Sequence, residues 1–218
     1  MSFPLPSYRD ALSTMADGTI KQVNPFSGTQ AWTVPGRGNR PLSKPSGEAQ
    51  ALQPEDFTHA CNFCEGKLLA TPPEKSRMVR TDGGWEILRN QMPHEIEATR
   101  AEFRRVPNLF EIVSYQYWKE NYGFDMSDAQ REHMERYLAD HAGREHIFQI
   151  VRTRLKASGI TGEPIEEELL DYVPAYFAGG HDVIIGRRHF TDGAENDSQL
   201  AGSGTLTPDE HNAFIAFT

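Results

Sequence analysis

Cys61-Asn62-Phe63-Cys64-Glu65-Gly66 is the stretch from which the rest of the chain is read. Cys61 and Cys64 are the only cysteines, and their spacing allows three readings: half of a zinc site, a redox pair, or two ordinary buried thiols. A thioredoxin-like redox motif opens a helix after a strand. The flanks here, Phe57-Thr58-His59-Ala60 before and Glu65-Gly66-Lys67 after, look instead like a turn. A Cys-x-x-Cys-x-Gly knuckle points two thiolates at one ion, with the glycine relaxing the turn. A structural zinc site wants four such donors, so half the ligands must come from elsewhere.

Outward from the knuckle, the 218-residue chain carries 22 Lys+Arg against 31 Asp+Glu, a net charge of −9. Its mean hydropathy is −0.59. That balance disfavours a protein whose main work is to hold nucleic acid or an anionic membrane. The length suits one sizeable core. No apolar run approaches a membrane span, and Met1-Ser2-Phe3-Pro4-Leu5-Pro6 has neither a basic nor an apolar leader region, so a cytoplasmic protein is expected. A disulfide between Cys61 and Cys64 is disfavoured in that compartment.

Upstream, residues 1–50 are rich in Pro, Gly and Ser. Short strands are expected on either side of the turn Asn24-Pro25-Phe26-Ser27-Gly28, the second over Thr29 to Val34. Residues 36–50 read as loop, with Arg37 and Arg40 three apart. Downstream, Arg77, Arg80, Arg89, Arg100, Arg104 and Arg105 form a locally basic stretch leading to the apolar run Val106 to Val113. Residues 128–156 carry helical periodicity through Met134, Tyr137, Leu138, Ile147, Ile150, Val151 and Leu155, with a division expected at Gly143. A short helix is expected over 164–172 with Pro164 near its first position, then a buried strand over Gly179 to Gly186. Thr207-Pro208-Asp209-Glu210 has the grammar of a helix start, with Thr as N-cap, Pro at N1 and Glu closing a capping box. That helix runs to Thr218 without a stop signal, so either a domain that ends on a short helix or a cut within a longer polypeptide is expected.

Five segments together resemble the galactose-1-phosphate uridylyltransferases of the histidine-triad (HIT) superfamily. Asn24-Pro25-Phe26-Ser27-Gly28 with Arg37-Gly38-Asn39-Arg40-Pro41 is similar to that family's opening. Cys61-Asn62-Phe63-Cys64-Glu65-Gly66 resembles its zinc knuckle, and Val106-Pro107-Asn108-Leu109-Phe110 its nucleotide-site strand. Gly180-His181-Asp182-Val183-Ile184-Ile185 with Arg187-Arg188-His189 resembles the following strand, and Leu206-Thr207-Pro208-Asp209-Glu210 the next helix. The segments stand in family order across residues 24 to 210. The mostly helical region from about 114 to 176 has no counterpart there, and Leu109 stands where many members have Asp.

The resemblance implies an α+β fold: a HIT-like, antiparallel half-barrel sheet with packed helices, of which residues 1–218 would be the N-terminal part. It implies a structural zinc held by Cys61, Cys64 and His189, with His59 as a stray donor where the fourth ligand is lacking. Arg37 and Arg40 would meet a substrate phosphate, in some members across the interface of a homodimer. Guanidinium forks suit such an anion. Asn108 would meet the ribose, with Phe63 and Phe110 against the base, and His181 would be a strand residue. The ligand expected is a nucleotide-sugar or sugar phosphate. The family's nucleophile lies in a His-x-His-x-His segment. The eight histidines here, at 59, 94, 133, 141, 146, 181, 189 and 211, include no His-x-His pair, so no catalytic residue is assigned within this chain. The competing expectation is a non-catalytic, zinc-stabilised interaction module of the same fold.

Overall fold

A computed structural model describes residues 11–35, 47–108, 113–160 and 162–218. In chain order, three short strands come first: β1 (Leu12–Thr14), β2 (Ile20–Val23) and β3 (Gln30–Thr33). The short helix α1 (Asp56–His59) and a 3-10 stretch, Glu65–Ala70, bracket the knuckle. Then follow β4 (Ser76–Thr81), β5 (Gly84–Arg89), α2 (Pro93–Ala98) and β6 (Ala101–Pro107). The helices α3 (Tyr115–Tyr122), α4 (Asp128–Ala139), α5 (His141–Ala157), α6 (Glu166–Leu170) and α7 (Pro174–Ala178) come next. Strand β7 (Asp182–Gly186) and helix α8 (Pro208–Phe217) complete the order. This is an α+β architecture with antiparallel sheets. No helix among the described residues is long and apolar enough to cross a membrane.

The described residues form two compact units. In the first, β1, β2 and β3 make an antiparallel meander joined by the expected turn, where Asn24 Oδ1 accepts from the Phe26 and Ser27 N–H groups. Helix α3 belongs to this unit, and the Trp32 indole N–H donates to the Tyr117 hydroxyl at 2.8 Å.

The second unit is built on a four-stranded sheet of order β5-β4-β6-β7, antiparallel throughout. Side chains alternate across it. Met78 and Phe103 face α8 and pack with Ala213 and Phe217, with Trp85, Ile184 and Phe214 around them. Helix α8 starts as its sequence dictates: Thr207 Oγ1 accepts from the Glu210 N–H, and Glu210 Oε2 accepts from the Thr207 N–H at 2.7 Å. The strand expected over 179–186 is shorter, and only Ile185 in it is buried, because β7 is the sheet's edge.

The opposite face carries charge. Arg77 and Arg104 sit directly across from each other on β4 and β6, and both are buried. Like charges in that register repel. The buried Glu74 carboxylate lies between them, accepting from Arg77 Nε at 2.8 Å and Nη2 at 3.1 Å and from Arg104 Nε. The locally basic stretch expected from sequence is therefore largely spent on ion pairs. Arg77 and Arg104 share one carboxylate inside the core, Arg80 pairs with Asp209, and Arg100 pairs with Glu65.

The helical periodicity over 128–156 resolves into two helices, but the break falls at Asp140. That side chain caps α5 by accepting from the Gly143 N–H at 2.8 Å. Gly143 lies within α5, and its lack of a side chain serves packing: a Cβ there would stand 2.3 Å from the Tyr137 carbonyl oxygen. In α4 the buried residues are His133 and Tyr137, while Met134 and Leu138 are only half-buried. Pro164 precedes the N-cap of α6, Ile165, instead of opening that helix.

Two imidazoles are consequently buried. Thr71 O can only accept, so His146 Nε2, 2.8 Å away, carries the proton and Nδ1 accepts from the Tyr137 hydroxyl at 2.6 Å. Burial, aided by the nearby Arg136 cation, pulls His133 down to about 4, and burial also lowers His146. Unfolded imidazoles titrate near 6.5. Below that pH the unfolded chain takes up protons that folded His133 refuses. The stability from neutral His133 is thus complete above about pH 6.5 and is lost as pH falls toward about 4, at no more than about 1.4 kcal/mol per pH unit. Urea midpoints should fall across that window, and a flat profile would contradict the burial.

Candidate metal centre

The knuckle is shaped by its own backbone. The Cys64 N–H donates to the Cys61 carbonyl at 3.2 Å, closing the turn, and the Lys67 N–H returns to the Cys64 carbonyl. Two backbone N–H groups point at sulfur: Phe63 N to Cys61 Sγ and Cys61 N to Cys64 Sγ, both at 3.3 Å. Such donors favour sulfur as thiolate. Gly66 serves close approach, because a Cβ there would lie 2.3 Å from the His59 ring. That ring is held by a 2.7 Å contact between its Nδ1 and Thr58 Oγ1.

The third donor arrives from 125 residues along the chain. Cys61 Sγ and Cys64 Sγ are 3.6 Å apart, and His189 Nδ1 is 3.5 Å from Cys64 Sγ. All three ligand atoms lie within 4.8 Å of one another. Tetrahedral zinc with bonds of about 2.3 Å to sulfur and 2.0–2.1 Å to nitrogen sets edges of roughly 3.8 Å and 3.6 Å. The set therefore fits zinc in donor type and in spacing. Cys64 is buried, Cys61 and His189 half-buried. Without a cation, burial pushes the Cys64 thiol up. A metal bound there would reverse that preference, since a coordinating thiol loses its proton.

His189 is positioned by its neighbours. Its carbonyl accepts from the Ala201 N–H at 2.9 Å, and Phe190 bridges Leu200 while meeting Phe57 edge-on at 5.9 Å. Arg188 donates to Glu210 at 2.8 Å, so the capping carboxylate of α8 also anchors the residue before the ligand. Burial pushes the Glu210 carboxyl up, but Thr207 N–H and Arg188 outweigh it and hold it below the usual range. On the knuckle side, buried Arg104 donates to the carbonyls of Phe63 and Leu68 and to Thr71 Oγ1, tying the turn to β6. Glu74, which holds Arg104, was not marked as a site residue by any motif. The nearest signal is a lone acid next to a proline pair ahead of an arginine-rich strand.

The other sequence candidates are distributed differently. Phe63, inside the knuckle, is 48% exposed and lines a cavity of about 310 Å³ with Leu68, Thr99, Arg100 and Arg187. Asn108, at the end of β6, donates its backbone N–H to the His181 carbonyl at 3.0 Å, which fixes it beside the start of β7, and it does not line that cavity. Arg37, Arg40 and Phe110 lie outside the described residues. His59 is not one of the three converging donors.

No curated protein and no solved structure gives a significant match to the chain. One family model does, over residues 15–218, under the description "Domain of unknown function (DUF4921)". That match takes in the knuckle, the sheet and the strand that leads to His189, and the chain belongs to the DUF4921 family.

Proposed function

We propose that the chain is the zinc-bearing N-terminal part of a nucleotidyltransferase resembling the galactose-1-phosphate uridylyltransferases, with a HIT-like half-barrel. One observation carries the reading. The resemblance demanded that Cys61, Cys64 and a histidine 125 residues from Cys64 share one ion, and these three side chains converge at ligand spacing. The bond lengths and donor set suit zinc as a structural ion. Bound there, zinc would supply a cross-link between the knuckle and the segment after β7.

In the reaction proposed, a neutral imidazole from outside this chain attacks the α-phosphorus of a nucleotide-sugar. A phosphorus–nitrogen bond forms, the bond to the bridging oxygen breaks, and a sugar 1-phosphate leaves. The phosphate of a second sugar then attacks phosphorus, restoring the imidazole, which requires ping-pong kinetics. Within this chain, Arg37 and Arg40 would bind phosphate oxygens, Asn108 the ribose, and Phe63 and Phe110 the base. A homodimer would let such arginines reach a neighbouring subunit's substrate.

The test is incubation of the longest natural form with UDP-sugar labelled at the α-phosphate. An acid-labile, alkali-stable protein adduct that is discharged by a sugar 1-phosphate is expected. A protein that binds zinc stoichiometrically yet forms no adduct with any nucleotide-sugar would instead be a zinc-stabilised interaction module.

A further inference from the structure

A second pocket, of about 230 Å³, opens between the start of β4, the ends of β5 and β6, and helices α4 and α7. None of the three metal-site residues lines it. Two of its lining residues carry polar atoms that are buried and unpartnered among the described residues: Nε of Arg105 and Nε2 of His133.

Both atoms are donors. An arginine Nε always bears hydrogen. At His133, the Arg136 guanidinium, which can only donate, faces Nδ1 at 3.5 Å, so the ring proton resides on Nε2. A buried donor without an acceptor costs about 1–3 kcal/mol, so two beside one pocket call for an acceptor.

The charges around the pocket specify its sign. Lys75, Arg89 and Arg105 line it together with Glu74 and Asp182. Glu74 is spent on Arg77 and Arg104. Asp182 is taken by Lys75 at 2.6 Å and stands 3.9 Å from Arg105 Nε, too far to accept a hydrogen bond. Arg105 Nη2 is used on the backbone oxygens of Phe217 and Thr218, and its charge is met only by the 3.9 Å ion pair to Asp182, which Lys75 shares. The Arg89 guanidinium, exposed at the rim, has no hydrogen bond or ion pair among the described residues. Gln130 is consumed by the Phe177 carbonyl and by the cap of α4.

We propose that this pocket binds a small oxyanion of the phosphate class, inorganic phosphate or a compact phosphomonoester, accepting from Arg105 Nε–H and His133 Nε2–H and closed over by Arg89. Paired guanidiniums match phosphate oxygens in a fork, and the volume admits a compact anion but not a nucleotide-sugar. The inference does not depend on the nucleotidyltransferase reading.

Calorimetric titration of the protein with inorganic phosphate tests it. One saturable site with a Kd of about 1 mM or tighter is expected. Arg89→Ala, a change at an exposed position, should weaken binding about tenfold, and His133→Phe should weaken it at least as much. If His133→Phe fails to fold, Arg89→Glu serves in its place and should abolish binding. Lys156→Ala, a lysine away from the pocket, should leave the affinity unchanged. Lack of saturation up to about 20 mM phosphate would show that water alone satisfies the two donors and would overturn the proposal. Equal affinities in the Arg89→Ala and Lys156→Ala proteins would overturn it as well.

Discussion

Cys61→Ser and Cys64→Ser should each reduce bound zinc from about one equivalent per chain to a small fraction of that, and should lower stability by on the order of 4 kcal/mol. A complete structural site in a small peptide is worth about 10–16 kcal/mol, and a site with three protein donors binds less tightly than one with four. The loss is chiefly one of ligation, because a serine oxygen can still accept from the N–H aimed at each sulfur. At this size about 4 kcal/mol corresponds to a Tm lower by roughly 8–16 °C. Elemental analysis and a thermal melt of the same samples check both statements. Metal-free Cys61→Ser protein that melts like the parent would remove zinc from the account of the fold. His189→Ala should behave likewise, although it lies 125 residues from Cys64, whereas His59→Ala should retain the metal because His59 is not among the converging donors.

The second large effect belongs to Glu74. Replacing it with Gln keeps the shape but removes the carboxylate shared by two guanidiniums that are 0% and 3% exposed. Breaking a buried ion network on one side costs about 3–5 kcal/mol, since the remaining charges cannot return to water without opening the core. The cost should be felt at the metal as well. Arg104 spans both features, bonded to Glu74 on one side and to the Phe63 and Leu68 carbonyls on the other. Glu74→Gln is therefore expected to lower the urea midpoint strongly and to speed zinc release to a chelator. The double change Glu74→Gln with Arg77→Met should recover part of the stability, because it removes one of the stranded cations. If the single substitution proves neutral, the network is not the clamp described here.

What the sequence disclosed follows from how local each signal is. The cap of α8 was legible because Thr207, Pro208 and Glu210 contain every atom the cap needs. The hairpin turn at Asn24 was legible for the same reason. The α4–α5 break was misplaced because a glycine reads as a breaker. Here the glycine's use is a close approach to Tyr137, which only the packed pair of helices reveals. His133 was hidden from a search for apolar periodicity because its burial is a tertiary fact. The arginine-rich stretch misled in a similar way. Charge counted along a strand does not show that alternate residues turn inward or that an acid beyond the strand reaches them. At the metal centre the knuckle spoke for two donors, while His189 could be joined to it only through resemblance. Nothing in the residues between fixes a contact across such a separation.

That separation has a consequence of its own. An ion held jointly by Cys64 and His189 turns the intervening chain into a closed ring that contains β4, β5, β6, β7 and every helix from α2 to α7. Cross-linking a loop of this length restricts the unfolded ensemble, and the gain grows only logarithmically with length. Part of the metal's contribution is therefore exerted on the disordered chain and leaves no mark on any single native contact. Chelation would then raise amide exchange throughout the four-stranded sheet, most visibly in strands that never approach the ion.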